Sequence, residues 1–310
     1  MLTFVLGGGG SRGALQVGAL EVLIQAGIVP AMLVGTSVGA VNALAVALDP
    51  TNQGMGRLVA ATKALRPTDV VDGNPPLALW NMVRGNQSLF SNVAWLNYLR
   101  RYFPDVPFAD LQRPAYAIAT NLDTGATRVF GDLPQKERIL DGLMASTALA
   151  PFYPAWTTDD ARYTDGATKA VLPLRQAIDR GARDIIAFNL TCQQMAGADV
   201  RTAIDVLQHS LDLMLLQQVA GDIRFAARFP GVRLTVLELT AGGYVGTLDT
   251  AHTDELIVRG RQIARAALPR IRATHFPSPR RLFPRPEWWP ARRTQTRSAV
   301  ASLLPWSDQW

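Results

Sequence analysis

Histidine and cysteine are nearly missing from this chain, with three His and one Cys in 310 residues. The single Cys192 excludes an internal disulfide and a cysteine-built metal site, which suits a reducing, cytoplasmic compartment. A lone cysteine of this kind reads as a small buried hydrophobe. A clean membrane-spanning run is missing too. The apolar stretch 31–48 carries Gly35, Thr36, Ser37, Gly39 and Asn42, which would be costly in lipid, so it reads as a buried strand running into a buried helix. The amino-terminal apolar run has no cation ahead of it and meets glycines by residue 7, unlike a secretory signal. No internal repeat is present.

Excess charge is absent from most of the chain. Of 31 Lys+Arg and 25 Asp+Glu, eight arginines and two acids fall between Pro269 and Trp310. The 268 residues before them hold 23 of each sign. A neutral body lacks the basic stripe that nucleic-acid binding requires. At 48% hydrophobic and 18% charged residues, it can bury a substantial core and excludes disorder.

What is present is an α/β pattern. Leu2–Leu6 is a buried strand ending in glycines, Ala14–Ala26 repeats apolar residues at helical spacing, Ala31–Val34 is a second strand and Val38–Leu48 a second helix. This order predicts a mainly parallel sheet covered by helices. Residues 51–112, interrupted by prolines, read as a helical cap region containing Val93–Tyr102. Strands follow at Ala115–Thr120 and Thr127–Phe130, joined as a hairpin across Asp123–Gly125, then at Asp184–Leu190 and Val232–Leu239. Helices are expected at Leu174–Asp179, Thr202–Phe229 with an apolar face in the core, and Asp254–Leu268. Trp80, Trp95 and Trp156 read as core or cap packing. The domain boundary falls after residue 268, where Arg, Pro and Trp take over in a basic tail, 269–310.

Two glycine-rich turns carry the chemistry. Gly7-Gly8-Gly9-Gly10-Ser11-Arg12-Gly13 lies between a strand and a helix, where backbone N–H groups converge on a site for an anion or a transient oxyanion. A dinucleotide site would place a carboxylate near the end of the second strand, and a P-loop would follow with Gly-Lys-Ser/Thr; neither is here. The second strand ends instead in Gly35-Thr36-Ser37-Val38-Gly39. This G-x-S-x-G sits at a strand-to-helix turn that exposes the serine hydroxyl and lets backbone approach through its glycines, so Ser37 reads as a nucleophile rather than a helix cap. For a base, His252 is the formal candidate of a triad, while His209 and His275 lie in a long helix and in the tail. Asp165, in Tyr163-Thr164-Asp165-Gly166-Ala167, a turn after an apolar segment, is the stronger candidate.

These three motifs, in this order and spacing, resemble the signatures of the patatin-like phospholipase family. Further matches are Phe108-Ala109-Asp110-Leu111 with Pro114, Thr120-Asn121-Leu122-Asp123-Thr124-Gly125, and Ala145-Ser146-Thr147-Ala148-Leu149-Ala150-Pro151. The resemblance covers residues 3 to 190 and extends more loosely over 200 to 268. It implies a three-layer α/β/α patatin-like fold and a serine lipid acyl hydrolase of phospholipase A, lysophospholipase or esterase type. Ser37 would be the nucleophile and Asp165 the base of a dyad. Gly8, Gly9 and Gly10, with Arg12 close by, would form the oxyanion loop, and Gly13, Gly35, Gly39 and Gly166 would support the motifs. After Asp165 the chain departs from the family pattern, with Ala170-Val171-Leu172 before Pro173 in place of an Asn. No metal or cofactor is implied. The expected partner is a phospholipid or other acyl ester, and the tail is expected either to touch an anionic membrane or to be an idle extension. Acyl transfer to another alcohol and a catalytically idle lipid-binding protein are the alternatives.

Overall fold

A computed structural model describes residues 1–71, 84, 88–159, 161–190, 203–243 and 245–277. Cys192, Trp80, most of the inner part of the cap region and the tail beyond 277 lie outside the described residues, as does the side chain of His209. The strands are β1 (Leu2–Leu6), β2 (Met32–Thr36), β3 (Ala115–Asn121), β4 (Thr127–Phe130), β5 (Trp156–Thr158), β6 (Ala161–Asp165), β7 (Asp184–Asn189) and β8 (Arg233–Glu238). The helices are α1 (Gly13–Gln25), α2 (Val38–Leu48), α3 (Asn52–Ala64), α4 (Pro67–Val70), α5 (Val93–Tyr102), α6 (Ile139–Ser146), α7 (Ala167–Ala170), α8 (Leu174–Asp179), α9 (Ala203–Arg228) and α10 (Thr253–His275).

One sheet runs in the order β5-β6-β3-β2-β1-β7-β8, with β4 paired to β3. Strands β3, β2, β1, β7 and β8 are parallel, while β4, β6 and β5 add antiparallel pairs. The inner strands are apolar throughout because helices cover both faces. Phe4, Leu6, Leu33, Ile186 and Phe188 join the core under α1, α2, α3, α6 and α10. Val5, Met32, Val34, Ile185 and Ala187 face the other way, against α7, α8 and α9. This is the three-layer α/β/α arrangement that the sequence predicts.

The register of β3 fixes where the chemistry can stand. Its residues Ala117–Thr120 pair with β4 along one edge. On the remaining edge β2 pairs as far as Thr36 with Ile118, and β6 takes over with Asp165 opposite Ala119. Strands β2 and β6 therefore run toward each other and end head to head at consecutive residues of β3. Asp165, expected in a turn, is the last residue of a strand.

Two other expectations are corrected. The long helix α9 does not bury its whole apolar stripe: Val219 and Ala226 are in the core, but Val206, Leu211, Leu213 and Met214 are exposed. Its packing partners α7, α8 and β8 meet only part of its 26 residues. The last helix does not stop at Leu268. It continues through Pro269 to His275, and the compact unit ends at Phe276. Pro269 is exposed, so water can satisfy the carbonyl that loses its amide partner, while Ile271 and His275 are buried on the inner face. The His275 ring bonds the Asp184 carboxylate at the start of β7 and lies 2.9 Å from Thr235 Oγ1 on β8. Helix α10 also crosses α1 in backbone contact, because a side chain at Gly18 would overlap the Ile257 carbonyl and one at Gly260 that of Leu15.

A chain cut after Leu268 loses Ile271 and His275, so it is expected to be less stable than one cut after Phe276. The deficit is about 4 kcal/mol, the scale of one buried aliphatic side chain plus buried hydrogen bonds. Urea midpoints of the two truncations check this, and equal midpoints would return the boundary to 268.

Candidate active site

The Ser37 backbone has φ 56° and ψ −129°, a strained conformation for a residue with a side chain. It is held there from both sides. Its N–H donates to Ser146 Oγ at 2.9 Å, and that hydroxyl donates to the Ile118 carbonyl at 2.6 Å. Its carbonyl accepts from Ala40 N–H at 2.8 Å, the first turn of α2. The glycines around it are places of close approach. A Cβ at Gly35 would overlap the Gly39 carbonyl, one at Gly39 the Leu6 carbonyl, and one at Gly13 the Val38 side chain. Gly166, after Asp165, is pressed against the Ile118 carbonyl and the Thr36 methyl.

Asp165 is 1% exposed. Its Oδ1 accepts the Ala167 N–H at 2.7 Å, whereas Oδ2 has no hydrogen-bond partner. Burial raises the carboxyl pKa to about 6, opposed by the Ser37 hydroxyl and the Ala167 amide. The Ser37 hydroxyl is thus near enough to favour the ionised carboxylate, although Oδ2 has no formed hydrogen bond. The register places the serine after the last residue of β2 and the carboxylate on the last residue of β6, beside each other on β3. None of the histidine rings bonds either residue among the described contacts. His252 bonds Asp249 at 2.8 Å and is half exposed, and His275 lies on Asp184 at the start of β7.

The first glycine turn lies directly against the serine: a methyl at Gly8 would stand 3.3 Å from Ser37 Cβ. Its amides are not equivalent. Gly7 N–H donates to the Phe188 carbonyl at 3.1 Å and Gly8 N–H to the Val171 carbonyl at 2.9 Å. Gly8, expected among the oxyanion donors, therefore already has an acceptor. The N–H groups of Gly9 and Gly10 have none among the described residues. Arg12 braces this pair by donating to the Gly9 carbonyl through both its amide at 3.3 Å and its Nε at 3.2 Å. Because the peptide is planar and trans, holding that oxygen points the Gly10 N–H the other way.

Sequence reading missed the residues that hold this loop, since nothing in their local pattern marks them. Gln16 donates to the Gly7 carbonyl at 2.8 Å and accepts from Asn42, which also donates to the Gly13 carbonyl at 3.1 Å. Val171, in the segment that departs from the family pattern, donates its N–H to Gln218 Oε1 on α9 at 2.8 Å. A cavity of about 300 Å³ opens from Ser37 and Gly10 between α2, α3, α5 and the loop before α10. Its walls include Val38, Val41, Leu58, Ala61, Tyr98 and Tyr153, with Asp49, Arg57, Arg101 and Asp249 as charged members. The tyrosine hydroxyls and the Trp95 indole bond protein atoms, the last at 2.8 Å to Thr147 Oγ1, so rings and aliphatic groups face the space. Trp156 bonds Asp141 at 3.0 Å beside the core. No group of three or more His, Cys, Asp or Glu among the described residues could hold a metal.

A family model described as patatin-like phospholipase matches residues 4–178. Patatin-like phospholipase domain-containing protein 7 of Rattus norvegicus is 29% identical over 191 residues, covering 61% of this chain and 13% of the relative. Uncharacterized protein YjjU of Escherichia coli (strain K12) is 28% identical over 204 residues, covering 63% of this chain and 53% of the relative. The match thus spans about an eighth of the mammalian protein and half of the bacterial one. Among solved structures, VipD from Legionella pneumophila gives a TM-score of 0.43 at 15% identity, over 88% of this chain and 67% of that one. The type III effector protein ExoU gives 0.43 at 16%, over 87% and 53%.

The buried carboxyl makes a stability prediction. Its folded pKa of about 6 lies above the ordinary 3.8, so the folded protein holds an extra proton between the two values. The contribution of Asp165 to stability is full below pH 4 and is lost as pH rises through 6. Asp165→Asn lacks this loss and should gain on wild type by about 2 kcal/mol between pH 4 and pH 7. Urea unfolding of both proteins at the two pH values checks it; a difference independent of pH would contradict it.

Proposed function

Because this chain belongs to the patatin-like phospholipase family, we propose that it is a serine lipid acyl hydrolase working through a Ser37–Asp165 dyad and an acyl-enzyme. The observation that carries the reading is Asp165 Oδ2, buried and without a partner beside the strained Ser37. A desolvated carboxylate is more basic than one in water and can take the serine proton as Ser37 Oγ attacks the acyl carbon. The N–H groups of Gly9 and Gly10 are the donors for the tetrahedral oxyanion, each worth on the order of 3 kcal/mol in the transition state. Arg12 holds the peptide between them.

Collapse of the intermediate breaks the bond to the leaving alcohol, which receives the proton from Asp165. Water then attacks the acyl-enzyme, gives its proton to Asp165 and leaves the fatty acid. Ser37 recovers its hydrogen from the same carboxyl. The apolar walls suit an acyl chain, so the proposed substrates are glycerophospholipid, lysophospholipid or a simpler acyl ester, and an acceptor alcohol in place of water would make the enzyme a transferase.

The test is labelling with a fluorescent alkyl phosphonate together with turnover of a soluble acyl ester. Wild type and His252→Ala should label and turn over, while Ser37→Ala should do neither and Asp165→Asn should lose at least a hundredfold in kcat. Turnover by Ser37→Ala equal to wild type sinks the proposal, and loss of activity in His252→Ala with Asp165→Asn intact replaces the dyad by a triad. Labelling without turnover would make it an idle lipid-binding protein. Since the base must be ionised, kcat/KM should fall below a pKa of about 6, reaching about a tenth of its plateau at pH 5.

The basic tail concerns place rather than chemistry. Helix α10 has arginines at 259, 261, 265, 270 and 272 and no acid after Glu255, and six more arginines follow between residues 277 and 310. Among the described residues no helix is long and apolar enough to cross a membrane. The proposed contact is peripheral, with a cytoplasmic anionic leaflet, at up to about 1 kcal/mol per basic residue near the surface. At low salt the full chain should bind anionic vesicles more tightly than a chain ending at Phe276; equal binding would make the tail irrelevant to membranes.

A further inference from the structure

We infer that the backbone carbonyl of Thr247, in the loop between β8 and α10, is a positioning group for the oxyanion turn. The inference rests on the acyl-hydrolase reading above and adds to it a residue outside the matched stretch 4–178. Ser11 donates twice to this one oxygen, through its N–H at 2.8 Å and its Oγ–H at 2.9 Å. The two residues are 236 positions apart, so the contact belongs to the tertiary fold and not to the turn itself.

The clasp acts on the free amides through the geometry of consecutive peptides. Arg12 fixes the Gly9 carbonyl, and with it the plane that carries the Gly10 N–H. Thr247 fixes the Ser11 N–H, and with it the plane on the other side of the Gly10 α-carbon. Gly10 is thus held from both sides, in the left-handed region at φ 56°. The loop packs so closely that any side chain at Gly10 would overlap the Thr247 oxygen; only glycine meets both conditions.

The loop is itself anchored. The Asp249 carboxylate accepts the Ala251 N–H at 2.8 Å and bonds the His252 ring, Thr253 Oγ1 donates to the Thr250 carbonyl at 2.9 Å, and α10 starts there. Helix α10 lies in backbone contact with α1 at Gly18 and Gly260, and α1 begins at the glycine turn. Turn, α1, α10 and loop close a ring, and the Thr247 carbonyl is where it shuts. Thr247, Leu248 and Asp249 also line the cavity beside Ser37, so the group that orients the amides borders the space that substrate occupies.

Two variants of the full chain test this. Ser11→Ala removes one donor. Incorporation of the α-hydroxy analogue of leucine at position 248 turns the Thr247 carbonyl into an ester carbonyl, a weaker acceptor. Each should lower kcat for a soluble acyl ester about tenfold, less than the hundredfold or more expected for loss of a whole oxyanion donor, with KM within about twofold and the thermal midpoint unchanged. Phosphonate labelling of Ser37 should slow in parallel, and Ser11→Thr, which keeps the hydroxyl, should recover most of the rate. Wild-type kcat in both variants would overturn the inference, as would a loss of kcat accompanied by a falling thermal midpoint. If wild type itself shows no Ser37-dependent turnover, the acyl-hydrolase reading has failed instead.

Discussion

Two strands ending against each other on one edge of β3 is the constraint from which the rest of the site follows. Strand β2 arrives in parallel and stops at Thr36, β6 arrives antiparallel and stops at Asp165, and they face consecutive β3 residues. Each chain must then turn away sharply, because the other occupies the path ahead. The sharp turn after β2 gives Ser37 its positive φ, and the turn after β6 leaves the Asp165 carboxyl buried. Strain of ~1–3 kcal/mol and an unpaired buried carboxyl oxygen are tolerated because the surrounding ladder and core over-determine both positions.

The glycine turn meets this junction as a third independent element, and its support is distributed over the fold. Gly7 and Gly8 are bonded to carbonyls of β7 and the segment after α7, Gln16 and Asn42 satisfy carbonyls at the two ends of the loop, and Arg12 and Thr247 hold the middle. Among the described residues the N–H groups of Gly7, Gly8, Ser11 and Arg12 all have acceptors. What remains among the described residues is a pair of N–H groups without an acceptor, next to a buried carboxyl oxygen without a hydrogen-bond partner. Unpaired polar groups gathered at one point are costly in folding and useful for catalysis.

Local features of the chain were readable where the physics is local. Periodicity located β1, α2 and the G-x-S-x-G turn, since a strand buried on both faces and a helix after glycines leave marks within a few residues. Asp165 was readable only as part of a motif, and its place at a strand end was not, because antiparallel entry of β6 beside β2 is a matter of register between segments more than 40 residues apart. The same holds for Ser146, Gln218 and Thr247, which are ordinary polar residues until the fold brings their atoms to Ser37, Val171 and Ser11. Helix α3, hidden among the irregularities of the cap, begins with a Thr51 side chain accepting from Gly54 N–H, a cap too short to stand out. Pro269 signalled an end that the burial of Ile271 and His275 overrides.

Under the proposed dyad, one carboxylate performs two duties that a Ser-His-Asp triad divides between two residues. In a triad the acid orients and the imidazole moves the proton. Here the two oxygens of Asp165 are already unequal: Oδ1 is tied to the Ala167 amide, which fixes the group, and Oδ2 is free to gain and release a proton. An exposed Asp with a pKa near 4 would be too weak a base for that second duty at neutral pH. Burial lifts it to about 6, near the value at which a group is both ionised in the resting enzyme and able to hold a proton during attack. The scarcity of histidine in the chain then needs no compensation, because desolvation of a carboxylate supplies the basicity that an imidazole would otherwise bring.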